Sequence, residues 1–146
     1  MYIQSTDFTR ASEVIAFSAY ATEDILYSDN EVMDFPSVRS NIGSAYDPSS
    51  NRFTCPVSGQ YMFAGTCLTD SDNRAELVIA KNGNGIASAY SEVNNDAMSS
   101  ILIFDECDEG EYVEIKCGPN FGGCRCNSNE FIASTTFSGM LVGLII

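Results

Sequence analysis

The chain has 146 residues and a mass of 15.8 kDa, the size of one ordinary domain. Twenty acidic residues against seven basic ones give a formal charge of −13, which repels phosphate backbones and argues against nucleic acid or an anionic membrane surface as a partner. Histidine is absent, which removes His-dependent triads, Cys–His nucleophile pairs and imidazole zinc sites, while a hydrophobic fraction of 45% argues against disorder.

Residues 1–13 read as an N-terminal extension. They lack a basic n-region and an apolar h-region, so a signal peptide is expected to be absent or already removed. Beyond them, strand signals recur along the chain and helical periodicity is hard to find. The stretch 53–68 predicts an apolar strand with Tyr61 and Phe63 on one face and Met62 and Ala64 on the other. Leu77, Val78 and Ile79 follow, then KNGNG at 81–85, whose two Asn-Gly pairs suit a tight hairpin turn. Ile101–Phe104 is another apolar run, ending in an acidic turn around Gly110. In YVEIKC, Val113, Ile115 and Cys117 alternate with Tyr112, Glu114 and Lys116, the pattern of a half-buried strand. Residues 118–130 predict a Gly- and Cys-rich loop. The last stretch, from Thr135, is apolar on both faces, as in a central strand or one covered by another subunit. No apolar run approaches the roughly 20 residues of a membrane span, so membrane insertion is not expected. The pattern predicts one all-β domain, a two-sheet sandwich closed as a jelly roll.

Six cysteines in so short a chain point to an oxidising compartment and to disulfides. A zinc reading would rest on Cys117, Cys124 and Cys126, which include no C-x-x-C pair. Catalysis has little footing. There is no G-x-S-x-G elbow, the acids fall on predicted exposed loops, and KNGNG lacks the G-x-x-x-x-G-K-[ST] spacing of a phosphate loop. A binder is expected, not an enzyme.

From Phe35 onward the chain resembles the complement C1q-like globular head domain of the C1q/TNF superfamily. Phe35, Asn41, Tyr46, Phe53, Gly59, Tyr61 and Phe63 fall in the register of that family's signature, and Gly65 stands where an aromatic residue usually ends it. AFSAYA at 16–21 resembles the opening strand and FSGMLVGLI at 137–145 the closing one, so the likeness spans about residues 14–146. The resemblance implies a ten-stranded jelly roll, assembled as a homotrimer. With no G-x-y repeat and no heptads, the chain is similar to the stalkless, secreted head-only proteins of the family.

The family topology then implies a division of the loops. It places 22–24, 69–74 and 105–111 at one end of the barrel, and 55–60, 91–96 and 118–130 at the other. A Cys67–Cys107 bridge follows as an expectation, with two bridges among Cys55, Cys117, Cys124 and Cys126. A strained Cys124–Cys126 ring is disfavoured. Nine acids would crowd the first end, and Asp70, Asp72, Asp108 and Glu109 are the candidate calcium ligands, with Ca²⁺ carried as the cofactor the resemblance implies. The D-S-D of 70–72 has the spacing of half an EF-hand loop, with no bidentate Glu at position twelve. The competing reading is a solvated acidic rim.

Stalkless heads of this kind resemble soluble pattern-recognition lectins of innate immunity, which bind surface glycans or other microbial ligands, with trimer valency adding avidity. Sugar sites need hydrogen-bonding Asp and Asn side chains beside an aromatic ring. Asp70, Asp72, Asn73 and Arg74, with Tyr112 or Tyr90, form the best such cluster. Arg74 is expected either in a local ion pair or as the anchor of an acidic sugar. The alternative function is a calcium-binding structural protein of an extracellular matrix or biomineral.

Overall fold

The computed structural model describes residues 14–70, 72–92 and 96–145, so the expected extension 1–13 lies outside the described residues. Among them there are twelve strands and no helix. Ten build two five-stranded sheets, as the resemblance implied. The first sheet has the order β3 (Ser37–Ile42), β1 (Ala16–Tyr20), β12 (Thr136–Leu144), β6 (Gly59–Thr69) and β9 (Ala97–Cys107). The second runs β4 (Tyr46–Asp47), β5 (Arg52–Thr54), β10 (Tyr112–Cys117), β7 (Ala75–Lys81) and β8 (Asn84–Ser91). The opening and closing strands pair antiparallel, Ala16 opposite Met140 and Tyr20 opposite Thr136.

Two expectations are refined. The apolar stretch 53–68 is two strands in different sheets, because the chain breaks at 55–58, where Pro56 has no N–H to give a ladder. The 118–130 loop holds a strand of its own, β11 (Cys124–Cys126), which pairs with β2 (Ile25–Tyr27) as a separate ribbon.

The core is aromatic, and the signature residues build it. Phe17 stacks between Tyr46 and Phe53 at centroid distances of 4.9 and 4.8 Å, with Phe137 edge-on at 4.8 Å. Such pairs add roughly 0.5–1.5 kcal/mol each beyond the area they bury. Asn41 clamps the turn before Tyr46: its Nδ2 donates to the Tyr46 carbonyl at 2.8 Å, and its Oδ1 accepts the Tyr46 N–H at 3.1 Å. The Tyr46 hydroxyl donates to the Phe35 carbonyl at 2.9 Å, and that of Tyr61 to the Val57 carbonyl at 2.6 Å. Gly59 is small because β12 crosses it: a Cβ there would lie 2.7 Å from the Gly143 carbonyl oxygen. The departure at Gly65 has a local reason as well. The Ile115 Cδ1 from the facing sheet occupies the space a side chain would need.

β6 and β9 pair over their full length, Gly59 opposite Cys107 and Thr69 opposite Ala97. An antiparallel partner ends where its neighbour begins, so residues 105–111 lie beside 55–58, away from 69–74. This corrects the expected division of the loops. One end carries 22–24, 69–74 and 118–130; the other carries 55–58, 81–84 and 105–111.

The expected Cys67–Cys107 bridge is therefore also corrected. The bridges are Cys55–Cys107, Cys67–Cys126 and Cys117–Cys124. The acids are shared between the two ends instead of crowding one.

Candidate functional site

At the end that carries 69–74, a cleft of about 440 Å³ opens between that loop, the β2–β11 ribbon and the turn after β10. Asp72, Asn73, Arg74, Phe121, Leu26 and Arg125 are among its walls. Two bridges hold this end. Cys117–Cys124 closes the turn that presents Phe121, and Cys67–Cys126 ties β11 to β6. The turn is fastened to β7 as well. The Glu76 carbonyl accepts the Gly118 N–H at 2.8 Å, and the buried Glu76 carboxylate accepts Asn120 Nδ2 at 3.1 Å. Gly123 has φ of 111° and sits against the Tyr27 carbonyl, a conformation open to glycine and closed to most other residues.

The two arginines of the cleft differ in their surroundings. Arg125 is engaged: its Nε lies 3.5 Å from Asp70 Oδ2 and donates to Asn127 Oδ1 at 3.1 Å, and its Nη2 lies 3.8 Å from Asp24. Asn73 and Asn127 both donate to the Asp70 carboxylate, and these bonds, with the Arg125 charge adding to them, hold its pKa below the usual value. Arg74 is exposed and makes no ion pair among the described residues. Its guanidinium stands 6.0 Å from the centre of the Phe121 ring, which stacks on Tyr90 at 4.1 Å. The cleft thus offers a cation without an ion pair among the described residues, an amide and a carboxylate, beside a stacked aromatic pair.

Of the sequence-predicted ligand residues, Asp72, Asn73 and Arg74 line the cleft and Tyr90 adjoins it through Phe121. Asp70 is adjacent but committed to Arg125. Tyr112 is not brought in. Val113 pairs with Lys81 at the far end of β7, and the Tyr112 ring lies 3.7 Å under the Arg52 guanidinium. The predicted calcium quartet is likewise divided. Asp70 and Asp72 are at the cleft, whereas Asp108 and Glu109 are at the opposite end, where Glu109 donates its N–H to Ser58 Oγ. Among the described residues no three Cys, Asp or Glu side chains converge as a metal site. Phe121 and Arg125 were not singled out from the sequence. The signal for Phe121 is its place in a glycine-rich turn bounded by Cys117 and Cys124; for Arg125 there is none without the ribbon pairing.

A family model described as the C1q domain matches residues 16–142, and the chain belongs to that family. It is 35% identical over 119 residues to the human protein named complement C1q tumor necrosis factor-related protein 3, an alignment covering 79% of this chain and 46% of that one. It is 37% identical over 54 residues to a rat protein of the complement C1q subcomponent, covering 37% of this chain and 21% of that protein. The chain thus spans less than half the length of these curated relatives. Among solved structures, the globular domain of zebrafish complement 1qA superposes with a TM-score of 0.72 at 18% identity, over 90% of this chain and 99% of that one. The Eiger TNF of S. frugiperda superposes with a TM-score of 0.73 at 9% identity, over 92% and 96%. These likenesses show the C1q/TNF jelly-roll fold.

Proposed function

We propose that this chain is a secreted recognition protein of innate immunity that binds carbohydrate or another microbial surface ligand in the cleft beside Arg74, without catalysis. The observation that carries the reading is the contrast between the two arginines. Arg125 is spent on Asp24 and Asp70, while Arg74 makes no ion pair among the described residues and stands next to Asp72, Asn73 and the Phe121–Tyr90 pair. Polar groups of both kinds beside an aromatic ring suit a sugar, which presents hydroxyls on its edge and an apolar face. The three disulfides and the complement names of two relatives support an extracellular role. Assembly as a homotrimer belongs to the same reading, since three weak clefts on one rigid body gain avidity. It is supported by the outer face of the first sheet, where Leu102 and Phe104 are each 58% exposed near Met140.

The test is a glycan array with competition by free sugar, run in calcium and in chelator, with wild type and Arg74→Ala. Saturable binding that one sugar competes, and that Arg74→Ala loses, is the expected result. Binding unchanged in Arg74→Ala overturns the assignment of the cleft. Calcium uptake with no sugar binding favours the matrix or biomineral reading, which draws on Asp105, Glu106, Asp108, Glu109 and Glu111 at the opposite end.

A further inference from the structure

Two Asn-Gly dipeptides stand back to back at the tip of the β7–β8 hairpin, Asn82-Gly83 and Asn84-Gly85. Asn-Gly is the pair in which the following backbone nitrogen reaches the asparagine carboxamide with least obstruction, because glycine has no side chain. The reacting pair is Asn-Gly in both, and what the fold places around each asparagine differs.

Asn82 is held on every side. It takes up a positive φ of 53°, its N–H donates to the Tyr112 carbonyl at 2.8 Å, and its Oδ1 accepts the Tyr112 N–H at 3.1 Å. Its Nδ2 donates to the Glu111 carboxylate at 2.7 Å, and the Gly83 carbonyl accepts Lys116 Nζ at 3.2 Å. With both ends of the carboxamide fixed, Cγ is kept from swinging towards the Gly83 nitrogen. Asn84 is exposed and begins β8, an edge strand, and among the described residues nothing hydrogen-bonds its carboxamide. Gly85 is exposed too, and the pairing slips between Ile79 and Ala80, the residue opposite it.

The geometry points to Asn84 as a site of spontaneous modification by deamidation through a succinimide, with Asn82 protected beside it. The Gly85 amide nitrogen loses its proton and attacks Asn84 Cγ. A bond forms between that nitrogen and Cγ, the Cγ–Nδ2 bond breaks, and ammonia leaves. Water then opens the ring at either carbonyl, leaving aspartate or isoaspartate. One water is consumed, one ammonia is released, and no electrons change hands. Either product adds a negative charge at the end that already carries Asp105, Glu106 and Glu111. Isoaspartate also puts an extra methylene into the main chain at the residue paired with Lys81, which loosens the hairpin.

The test is incubation of the full, oxidised chain at mildly alkaline pH, followed by peptide mapping with electron-transfer fragmentation, which separates aspartate from isoaspartate. Conversion at Asn84 is expected to run roughly tenfold or more ahead of Asn82, the scale set by charge-assisted hydrogen bonds on the latter. Glu111→Ala, checked for an unchanged melt, is expected to bring Asn82 up towards the Asn84 rate, and Asn84→Gln to leave position 84 unconverted. Asn82 converting as fast as Asn84 overturns the inference. So does an intact Asn84 after a time in which the reduced, denatured chain has converted both, or an Asn82 rate that Glu111→Ala does not move.

Discussion

Cys67 and Cys126 stand 59 residues apart in sequence with their Cα atoms 5.2 Å apart, and their bridge fixes β11 against β6, an 11-residue strand inside the first sheet. The cleft end is thereby fastened to the body of the barrel, while Cys117–Cys124 closes only a short turn within it. The two bridges are expected to differ in weight. By loop-closure entropy, a bridge across 59 residues contributes about 4 kcal/mol and one across seven about 2.5 kcal/mol. Non-reducing peptide mapping is expected to join Cys55 to Cys107, Cys67 to Cys126 and Cys117 to Cys124. Cys117→Ser with Cys124→Ser should leave a folded protein whose cleft has lost its fixed Phe121 ring, read as lost ligand binding with a modest fall in urea midpoint. Cys67→Ser with Cys126→Ser should lower the midpoint further. Equal effects of the two pairs would contradict this ranking.

The strands were legible in the sequence because alternation and turn chemistry are local. Val113, Ile115 and Cys117 are buried as their alternation predicts, although Glu114 between them is buried too, against Arg52, and the Asn-Gly turn is made within a few residues. The spaced signature from Phe35 to Phe63 packs over longer range, Tyr46 and Phe53 against Phe17. The disulfides were not, because their partners depend on which strand end meets which. Cys107 lies beside Cys55 only because β9 runs antiparallel to β6 over its whole length. The cleft was half legible. Asp72, Asn73 and Arg74 are consecutive and share a loop, so their meeting needs no topology. Phe121 and Arg125 join them through the β2–β11 ribbon, a pairing of short segments about a hundred residues apart that leaves no periodicity to read.

Gly65 and Ile115 are expected to behave as one unit. Gly65→Ala drives a Cβ into the Ile115 side chain, and overpacking of this kind costs roughly 1–3 kcal/mol. Ile115→Val alone should cost about 0.5–1.5 kcal/mol for the methyl removed from a buried site. The double variant Gly65→Ala/Ile115→Val should be more stable than Gly65→Ala, since the second change empties the space the first one needs. Urea unfolding of the four proteins checks this, and additive losses would sink it.

Alkaline stability rests on buried tyrosines. Burial raises the pKa of Tyr27 to about 12 against the opposing hydrogen bond from the Asp34 N–H, and burial pushes Tyr46 higher still. In both the folded state prefers the neutral phenol. A raised folded pKa means a contribution fully present below the ordinary tyrosine value, near 10, and lost as the pH climbs through the folded value. For Tyr27 the loss is on the order of 2–3 kcal/mol between about pH 10 and 12, at 1.36 kcal/mol per pKa unit. Tyr46→Phe gives up the bond to the Phe35 carbonyl, costing about 1 kcal/mol at neutral pH, but should unfold less steeply on the alkaline side. Urea midpoints measured from pH 8 upward test it. Parallel curves for wild type and Tyr46→Phe would remove this tyrosine from the alkaline transition.

Phe104 gives the sharpest test of assembly. It lies opposite Met62 on the outer face of the first sheet, and Met62 lies in turn opposite Met140, so three large apolar side chains sit side by side across β9, β6 and β12. Covering a phenylalanine contributes about 1.5–3 kcal/mol, and in a closed ring of three the residue is used once at every interface. Phe104→Asp removes that burial and brings a carboxylate into each of the three interfaces, between chains that each already carry a net charge of −13. The variant should fold, because the side chain is 58% exposed in the single chain and leaves the aromatic core untouched. Native mass is therefore expected to fall from three times 15.8 kDa in the wild type to a single chain in the variant, with an unchanged near-ultraviolet spectrum. A wild type that is monomeric at micromolar concentration would overturn the trimer. A variant that stays trimeric would move the interface off this face of the sheet.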